Sequence, residues 1–367
     1  MRVLFMDDSL DVGGKERLLV TLLGQFKGSR VDACLCILGK PGRLADRAAA
    51  LASDSILLGR KASFSMPAVK RLHRYIEDKK IEIVHCNGVV DAFHAYLASK
   101  ATGVKLVATV HGHETGWHLA VHKWVLARFD RIVAVSESHR MDLERSGYPA
   151  RRMVSVPNSY DASFERPEPY SMPGLGNTGR LALVCVGRLD MLKDQKTLVR
   201  AVGILVSEGL DVTLDLVGDG HPRFRDSLVK IINETRLEDR VRILGTIDDV
   251  PGLLKNYDAF ALASLSETFG IAAAEAMAVG LPVVLSDIPA LRELIGNGQY
   301  GLLFDPGSPE SAAGCLRRLM DRGFRHEMSV KALSRAAEYS PEVMTAKLSD
   351  LYMGLLCNDC RDGKCQG

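Results

Sequence analysis

Two glutamates, Glu267 and Glu275, lie eight residues apart where a strand pattern gives way to a helix pattern. The apolar run at residues 258–263 is typical of a buried strand, and the Ala- and Met-rich residues 271–279 favour a helix that a Gly and a Pro end. On one continuous helix the two carboxylates would lie about 12 Å apart along the axis, too far to hold one atom together. With Glu267 in the turn and Glu275 one turn into the helix, they would instead flank a ligand.

The turn between this strand and helix is predicted to bind an anion. The amides of Thr268, Phe269, Gly270 and Ile271 stand at the helix N-terminus, where hydrogen bonds and the helix dipole both stabilise negative charge. Gly270 lets the backbone approach a phosphate closely, because it has no side chain. A diphosphate in this turn, with one carboxylate near a sugar and the other near ribose hydroxyls, would suit a nucleotide sugar.

The segment SETFGIAAAEAMAVGLPVV carries an E-x7-E spacing that resembles the motif of the retaining GT-B enzymes of glycosyltransferase family 4. The resemblance is strong over residues 184–306 and looser over residues 2–161. It implies an α/β fold of GT-B type, with two Rossmann-like domains facing across a cleft. It also implies that Glu275 holds the ribose, while Glu267 and the amides of residues 269–271 hold the sugar and its phosphate. The flanking Phe-Gly and GLPVV disfavour the alternative, an amphipathic helix with two solvated glutamates.

Two cations, Arg188 and Lys193, follow Gly187 in the segment GRLDMLKD, which resembles the family's G-R-x4-K motif. A leaving nucleoside diphosphate gains negative charge as the glycosidic bond breaks, and both cations can stabilise it at close range. Because no D-x-D metal motif is evident, we expect a metal-independent reaction without a cofactor. The segment GTIDDV resembles the family's base-contacting stretch and makes Asp248 a donor-binding candidate.

The first half of the chain adds three candidates. Gly13 and Gly14 open a predicted helix, so that their amides could meet a phosphate, although a plain flexible turn would explain this pair equally well. His111 ends the strand-like segment VATVHG, and the resemblance implies that a histidine in this place points at the donor sugar. The expected site therefore combines catalytic His111, Arg188, Lys193 and Glu267 with donor-binding residues, which are Gly13, Gly14, Gly187, Asp248, Phe269, Gly270, Ile271 and Glu275.

Strand-like and helix-like runs alternate through the chain in a βαβ rhythm. We expect an acceptor-side Rossmann-like domain over residues 1–166, a Pro- and Gly-rich linker at 167–179, and a nucleotide-sugar domain over 180–340. The resemblance implies that a last helix near residues 343–356 crosses back onto the first domain. The remaining residues, 357–367, are expected to form an exposed tail.

Composition bounds the location of the protein. The chain of 367 residues is 47% hydrophobic and 25% charged, and it has no apolar run of the ~20 residues that span a membrane. The first residues, MRVLFMDDSL, do not read as a signal peptide. The eight cysteines are scattered, apart from Cys357, Cys360 and Cys365, which lack a fourth ligand for zinc. These features predict a cytoplasmic protein with reduced thiols.

The charge is uneven, since residues 1–170 hold 25 Lys and Arg against 19 Asp and Glu. A basic first half favours peripheral contact with anionic lipid on the inner face of the cytoplasmic membrane, although solvated helix faces explain such clusters more often. We expect as partners a nucleotide-sugar donor and a saccharide or lipid-linked saccharide acceptor, with no nucleic acid. The predicted function is retaining hexosyl transfer in lipopolysaccharide, O-antigen or exopolysaccharide synthesis. The alternatives are a GT-B sugar-nucleotide epimerase or phosphorylase, and a non-catalytic sugar-nucleotide-binding protein.

Overall fold

The computed structural model describes residues 1–11, 13–112, 116–164 and 179–361. Its contacts divide the chain into two compact units. The first unit consists of Met1–Ser159 and Pro341–Gly367, and the second unit consists of Tyr160–Ser340.

The strands are short and strongly apolar, as expected for parallel sheets that are covered on both faces. In chain order they are β1 (Arg2–Asp7), β2 (Asp32–Ile37), β3 (Asp54–Leu57), β4 (Ile83–Cys86), β5 (Lys105–Val110), β6 (Arg131–Ala134), β7 (Met153–Ser155), β8 (Leu181–Val186), β9 (Val212–Val217), β10 (Val241–Gly245), β11 (Ala259–Leu262), β12 (Val283–Ser286) and β13 (Leu302–Phe304).

The helices alternate with these strands. They are α1 (Gly14–Phe26), α2 (Ala45–Leu51), α3 (Met66–Asp78), α4 (Val89–Ala98), α5 (Gly116–Leu126), α6 (Glu137–Arg145), α7 (Gln195–Ser207), α8 (Pro222–Glu234), α9 (Val250–Leu254), α10 (Ile271–Ala278), α11 (Pro289–Leu294), α12 (Pro309–Arg318), α13 (Arg322–Ala336) and α14 (Pro341–Arg361).

The first unit is built on a parallel sheet with the strand order β3-β2-β1-β4-β5-β6-β7. Val3 of β1 pairs with Ala33 on one side and with Ile83 on the other, so the order reverses between β1 and β4. Buried side chains of α1, α2 and α14 cover one face of the sheet, and those of α3, α4, α5 and α6 cover the other. Ligands of open α/β sheets bind beyond the strand ends at such a reversal.

The second unit repeats this plan with the order β10-β9-β8-β11-β12-β13, again with parallel pairs throughout. The order reverses between β8 and β11. The loops that follow these two strands contain the G-R-x4-K and E-x7-E motifs. The reversal therefore brings the two motifs to neighbouring strand ends, although they are far apart in the sequence.

The predicted α/β class is confirmed by these two doubly wound sheets. The units divide between Ser159 and Tyr160, whereas the sequence predicts a boundary at residue 166. The 3-10 turn Ala162–Phe164 packs against α10 of the second unit, and Phe164 is buried. The expected linker lies outside the described residues except for Gly179. Helix α14 extends to Arg361, so the first residues of the expected tail are helical.

Helix α14 belongs to the first unit, where Met344, Leu348, Tyr352 and Leu355 enter the core that α1 also lines. Within the described part of the chain, no helix is both long and apolar enough to cross a bilayer.

Candidate active site

The turn before α10 has the geometry that an anion site requires. Gly270 is the N-cap of α10 and has φ +101°, a backbone conformation that side chains disfavour. A Cβ at this position would lie 2.6 Å from Cδ2 of Leu291, so packing also demands a glycine. Within the described residues, no backbone hydrogen bond uses the amides of Phe269, Gly270 or Ile271. These three amides are therefore available to an anion at the helix N-terminus.

The side chain of Phe269 faces the interior. It is 3% exposed, and its ring meets the ring of Tyr339 edge to face with centroids 5.3 Å apart. Arg335 donates a 2.7 Å hydrogen bond to the Tyr339 hydroxyl. Phe269 consequently anchors the turn in the core, and only its backbone amide can serve a ligand.

Glu267 is held by two neighbours in the second unit. Its Oε1 forms an ion pair with the ammonium of Lys193 and accepts a 2.8 Å hydrogen bond from the hydroxyl of Ser264. Ser286 on β12 in turn donates to the Ser264 carbonyl at 2.5 Å. The carboxylate of Glu267 is therefore fixed in position and part-buried. Its second oxygen has no hydrogen-bond partner among the described residues and can accept from a ligand hydroxyl.

The loop between β8 and α7 is ordered by Asp190. Its Oδ1 accepts from the amides of Leu192 and Lys193 at 2.9 and 3.0 Å, and its Oδ2 pairs with Nε of Arg188 at 2.6 Å. The amide of Leu265 then donates to the Leu192 carbonyl at 2.7 Å, which joins this loop to the loop of Glu267. The structure thus brings Lys193 into contact with Glu267, and Asp190 ties Arg188 to the same loop as Lys193.

The side chains of Arg188 and Lys193 differ in their exposure to solvent. The Arg188 side chain is 73% exposed, whereas that of Lys193 is 24% exposed and lies against Glu267. An exposed guanidinium can contact phosphates from the solvent side, and an ammonium held by a carboxylate can stabilise negative charge at one fixed place. The carbonyl of Arg188 is itself held by the side-chain amide of Gln195 at 2.8 Å.

Two glycines that the sequence did not assign to this site shape it from the next strand. A Cβ on Gly218, at φ +133°, would lie 2.1 Å from the carbonyl oxygen of Gly187. A Cβ on Gly220 would lie 1.9 Å from the carbonyl oxygen of Leu189. Gly218-x-Gly220 therefore permits two backbones to approach each other under the cationic loop, and the G-x-G pattern was the signal available in the sequence.

Glu275 and Asp248 have unlike surroundings. Glu275 is 9% exposed on α10, one turn beyond Gly270, which matches the placement predicted from the spacing. Asp248 is exposed, and its neighbour Asp249 is the one that caps α9, by accepting from the amide of Gly252 at 2.9 Å. The predicted donor-binding role of Asp248 stays a prediction.

His111 follows β5 in the first unit, where its Nε2 lies 3.4 Å from Oδ1 of Asn87. Burial, reinforced by Lys15, His85 and His139, lowers the pKa of His111 to about 3. The imidazole is therefore neutral near pH 7 and can donate a hydrogen bond from one ring nitrogen without carrying charge.

Lys15 is a residue that the sequence analysis overlooked. Its ammonium forms a 2.9 Å ion pair with Oδ1 of the fully buried Asp7, and it lines a small pocket with Asn87, His111 and Asn158. Burial raises the pKa of Asp7, while Lys15 opposes the shift. Two sequence features could have indicated this ion pair: an acidic residue at the end of β1 and a lysine directly after the glycine pair.

The glycine pair opens α1 as expected, with Gly13 as its N-cap and Gly14 as its first residue. A Cβ on Gly13 would lie 2.3 Å from Oε2 of Glu16. The Glu16 carboxylate therefore folds back toward the start of the helix. Val12, beside this pair, lies outside the described residues. The predicted contact of these amides with a phosphate stays a prediction.

A buried chain of polar groups lies beside the His111 pocket. Nδ1 of His85 lies 2.5 Å from the hydroxyl of Tyr352 on α14, and Nε2 of His85 lies 2.7 Å from the Thr109 hydroxyl. Burial lowers the pKa of His85 to about 3, so this chain is neutral. It connects α14 with β4 and with β5, the strand that presents His111.

The described residues contain no group of three or more His, Cys, Asp or Glu side chains placed to hold a metal ion. In the second unit, two cations, a helix N-terminus and a held carboxylate converge at one sheet edge. This set can bind the diphosphate and the sugar of a nucleotide sugar and can stabilise the charge of a leaving diphosphate.

Comparison with known proteins covers both halves of the chain. Residues 12–164 match the family model described as Glycosyltransferase Family 4, and residues 180–322 match the model described as Glycosyl transferases group 1. The chain is 26% identical over 315 residues to N-acetyl-alpha-D-glucosaminyl L-malate synthase of Bacillus anthracis, covering 82% of each chain.

Two further comparisons cover nearly the full length. The chain is 27% identical over 370 residues to the GDP-mannose-dependent alpha-(1-6)-phosphatidylinositol monomannoside mannosyltransferase of Mycobacterium tuberculosis, covering 93% of this chain and 95% of the relative. It superposes on the crystal structure of Anabaena HepE in complex with UDP-glucose with a TM-score of 0.83 at 22% identity, covering 96% of this chain and 100% of that one.

Proposed function

Because the chain belongs to glycosyltransferase family 4 and is a glycosyltransferase, we propose that it transfers a hexose with retention from a nucleoside-diphosphate sugar to a saccharide acceptor. The observation that carries the proposal is the contact of Lys193 with Glu267, next to Arg188 and the open amides before α10. The comparisons favour a transferase over the epimerase, phosphorylase and non-catalytic alternatives.

The second unit binds the donor in this proposal. Glu275 accepts hydrogen bonds from the ribose hydroxyls, and Arg188 and Lys193 contact the diphosphate. The amides of Phe269, Gly270 and Ile271 hold the phosphate next to the sugar, while Glu267 accepts from a sugar hydroxyl. The supporting facts are the common sheet edge of these groups and the unlike exposure of the two cations.

The bond between the sugar and the diphosphate breaks while negative charge grows on the leaving phosphate. Two cations and a helix N-terminus stabilise that charge more strongly as it develops, which lowers the barrier. We assign Glu267 a positioning role, in which Lys193 and Ser264 hold its Oε1 and the carboxylate accepts a hydrogen bond from the sugar. The acceptor hydroxyl attacks the anomeric carbon, and its proton passes to an oxygen of the leaving phosphate on the same face.

We further propose that His111 acts as a neutral hydrogen-bond donor to the donor sugar and that the reaction needs no metal ion. The lowered pKa of His111 supports the first part, because an imidazole near pH 7 then adds no charge. For the second part, Arg188 and Lys193 supply positive charge at the diphosphate.

The acceptor we propose is a lipid-linked saccharide of lipopolysaccharide, O-antigen or exopolysaccharide synthesis, reached by peripheral contact at the cytoplasmic face of the membrane. Support comes from the basic first half of the chain and from the M. tuberculosis relative, whose name specifies a phosphatidylinositol monomannoside.

The test is thermal stabilisation by a panel of UDP, GDP, ADP and CMP sugars. We expect one nucleotide to raise the unfolding temperature selectively in the wild type and to lose this effect in Glu275→Ala. Product analysis of the anomeric configuration with the stabilising donor then decides retention. A Glu275→Ala variant that is stabilised as well as the wild type would refute the donor-site assignment.

A further inference from the structure

An aromatic row crosses the outer surface of the helical layer formed by α3, α4 and α5 in the first unit. Phe64, just before α3, meets Phe93 of α4 edge to face with centroids 5.8 Å apart. Tyr96, three residues after Phe93 and so on the same side of α4, meets Trp124 of α5 edge to face at 5.9 Å. The ring contacts therefore join the segment before α3 to α4, and α4 to α5.

The row is open to solvent at both ends. Phe64 is 44% exposed, Trp124 is 48% exposed, and Met66 beside Phe64 is 49% exposed. Phe93 and Tyr96 are half-buried between them. Exposing large apolar side chains in one connected row has a free-energy cost in water, which a partner surface would remove.

Cations accompany the rings along the row. The guanidinium of Arg128 lies 3.7 Å from the centroid of the Trp124 ring and 5.8 Å from that of Tyr96, and the ammonium of Lys100 lies 5.3 Å from the same Tyr96 ring. At the other end, Lys70 and Arg74 stand one helical turn apart on the exposed side of α3.

Negative charge is scarce on the three helices α3, α4 and α5. In α4 the one acid is the buried Asp91, and α5 contains none. The acids of α3, Glu77 and Asp78, are confined to its last turn. Among the described residues, the surface cations Lys61, Lys70, Arg74, Lys100 and Arg128 form no ion pair with a carboxylate. Their charge is thus available to an anionic partner.

We propose that this aromatic–cationic face, made of Phe64, Phe93, Tyr96, Trp124, Lys61, Lys70, Arg74, Lys100 and Arg128, docks on an anionic lipid bilayer. The inference rests on the proposed function, in which the acceptor is lipid-linked, and it assigns the membrane contact to one surface. Tryptophan and tyrosine settle at the level of lipid head groups, while lysine and arginine reach the phosphates. An acidic polymer would satisfy the cations but would leave Phe64 and Met66 in water.

The test is co-flotation of the full chain with vesicles of phosphatidylcholine containing 30 mol% phosphatidylglycerol, about the proportion of a strongly anionic membrane surface. We expect binding to these vesicles and none to pure phosphatidylcholine. Each surface cation contributes about fivefold to the partition constant, so Lys100→Ala/Arg128→Ala should lower it about 25-fold. Trp124→Ala should lower it about tenfold through the lost insertion of the indole.

Val229→Ala/Lys230→Ala is the matched control, because Val229 is an exposed apolar residue beside a lysine on α8 of the second unit. It should bind vesicles like the wild type. The fluorescence of Trp124 can also report its insertion into the lipid directly. In a Trp117→Phe variant, Trp124 is the one remaining tryptophan of the chain. Its emission should shift to the blue with anionic vesicles and stay unchanged with pure phosphatidylcholine.

Transfer to a water-soluble acceptor, measured without vesicles, separates the two proposals. We expect the surface variants to keep this activity while losing vesicle binding. The docking proposal would be overturned if the wild type did not bind the vesicles, or if Lys100→Ala/Arg128→Ala bound them as well as the wild type does. Either result would leave the transferase proposal standing. If the protein bound an acidic polysaccharide but not the vesicles, the partner of this face would be an acidic glycan, and the docking proposal would also be overturned.

Discussion

The ammonium of Lys193 contacts Oε1 of Glu267, and this ion pair joins two loops whose residues are 74 positions apart in the sequence. The loops follow β8 and β11, the two strands between which the order of the second sheet reverses. A second link, from the Leu265 amide to the Leu192 carbonyl, keeps the loops in register. The pair therefore fixes a cation and a carboxylate at the place where a parallel α/β sheet offers its ligand site.

Lys193→Ala should lower kcat by about 10²- to 10³-fold, because one fixed charge at the developing phosphate anion is lost. The matched control is Lys196→Ala, three residues further on in the first turn of α7, whose ammonium lies over the ring of Phe224. Steady-state kinetics with the donor identified by thermal stabilisation measures both. Equal effects of the two substitutions would remove Lys193 from the catalytic set.

Gly270→Ala should destabilise the protein by about 1–3 kcal/mol, because φ +101° strains a side chain and the new Cβ meets Leu291 at 2.6 Å. Urea unfolding measures the change. Gly314→Ala is the control, since a Cβ there meets nothing within 4 Å inside α12, and it should be neutral or slightly stabilising. If both substitutions had the same effect, the tight fit of the turn would be disproved.

Tyr352→Phe should cost about 1–3 kcal/mol of unfolding free energy, since it leaves Nδ1 of the buried His85 without its hydrogen bond. Tyr300→Phe is the control, because the half-buried Tyr300 hydroxyl makes no hydrogen bond with any described residue. Thermal or urea unfolding of both variants checks this expectation. A neutral Tyr352→Phe would mean that the contact with His85 adds nothing to the attachment of α14.

Stability should fall as the pH is lowered from about 6.5 toward 4. The pKa of His85 is lowered to about 3 in the folded protein. As the pH falls, the unfolded chain therefore binds a proton at His85 before the folded protein does, which stabilises the unfolded state. At pH 5 this single group accounts for about 2 kcal/mol relative to neutral pH. His85→Gln removes the titration, so its urea midpoint should depend less on pH. An equal slope in both proteins would contradict this assignment.

Activity should survive EDTA, because the proposed site relies on Arg188 and Lys193 to stabilise the leaving diphosphate. We expect less than a twofold change in rate after chelation, against a large loss in Arg188→Ala through its missing contact with the phosphates. A rate that EDTA abolishes and a divalent ion restores would show that the metal-free proposal is wrong.

The sequence by itself determined the α/β class and the local form of the turn before α10. Apolar strands in alternation with helices leave parallel sheets as the fold, and Gly270 between Glu267 and Glu275 marks a strand-turn-helix by local chemistry. Local signals of this kind need no distant partner. They depend on neighbouring residues, which is why the βαβ rhythm of the sequence reappears as alternating strands and helices in both units.

Only the tertiary structure decided which distant side chains meet. The partnership of Lys193 with Glu267, of Lys15 with Asp7, and of Tyr352 with His85 depends on strand order and helix packing. Four aromatic residues likewise look like ordinary apolar residues in the sequence, and only the packing of α4 and α5 with the segment before α3 places them in one row: Phe64, Phe93, Tyr96 and Trp124. These side chains are far apart in the sequence, and they meet because the fold brings them together. Residue spacing alone does not give the spatial distance between such residues.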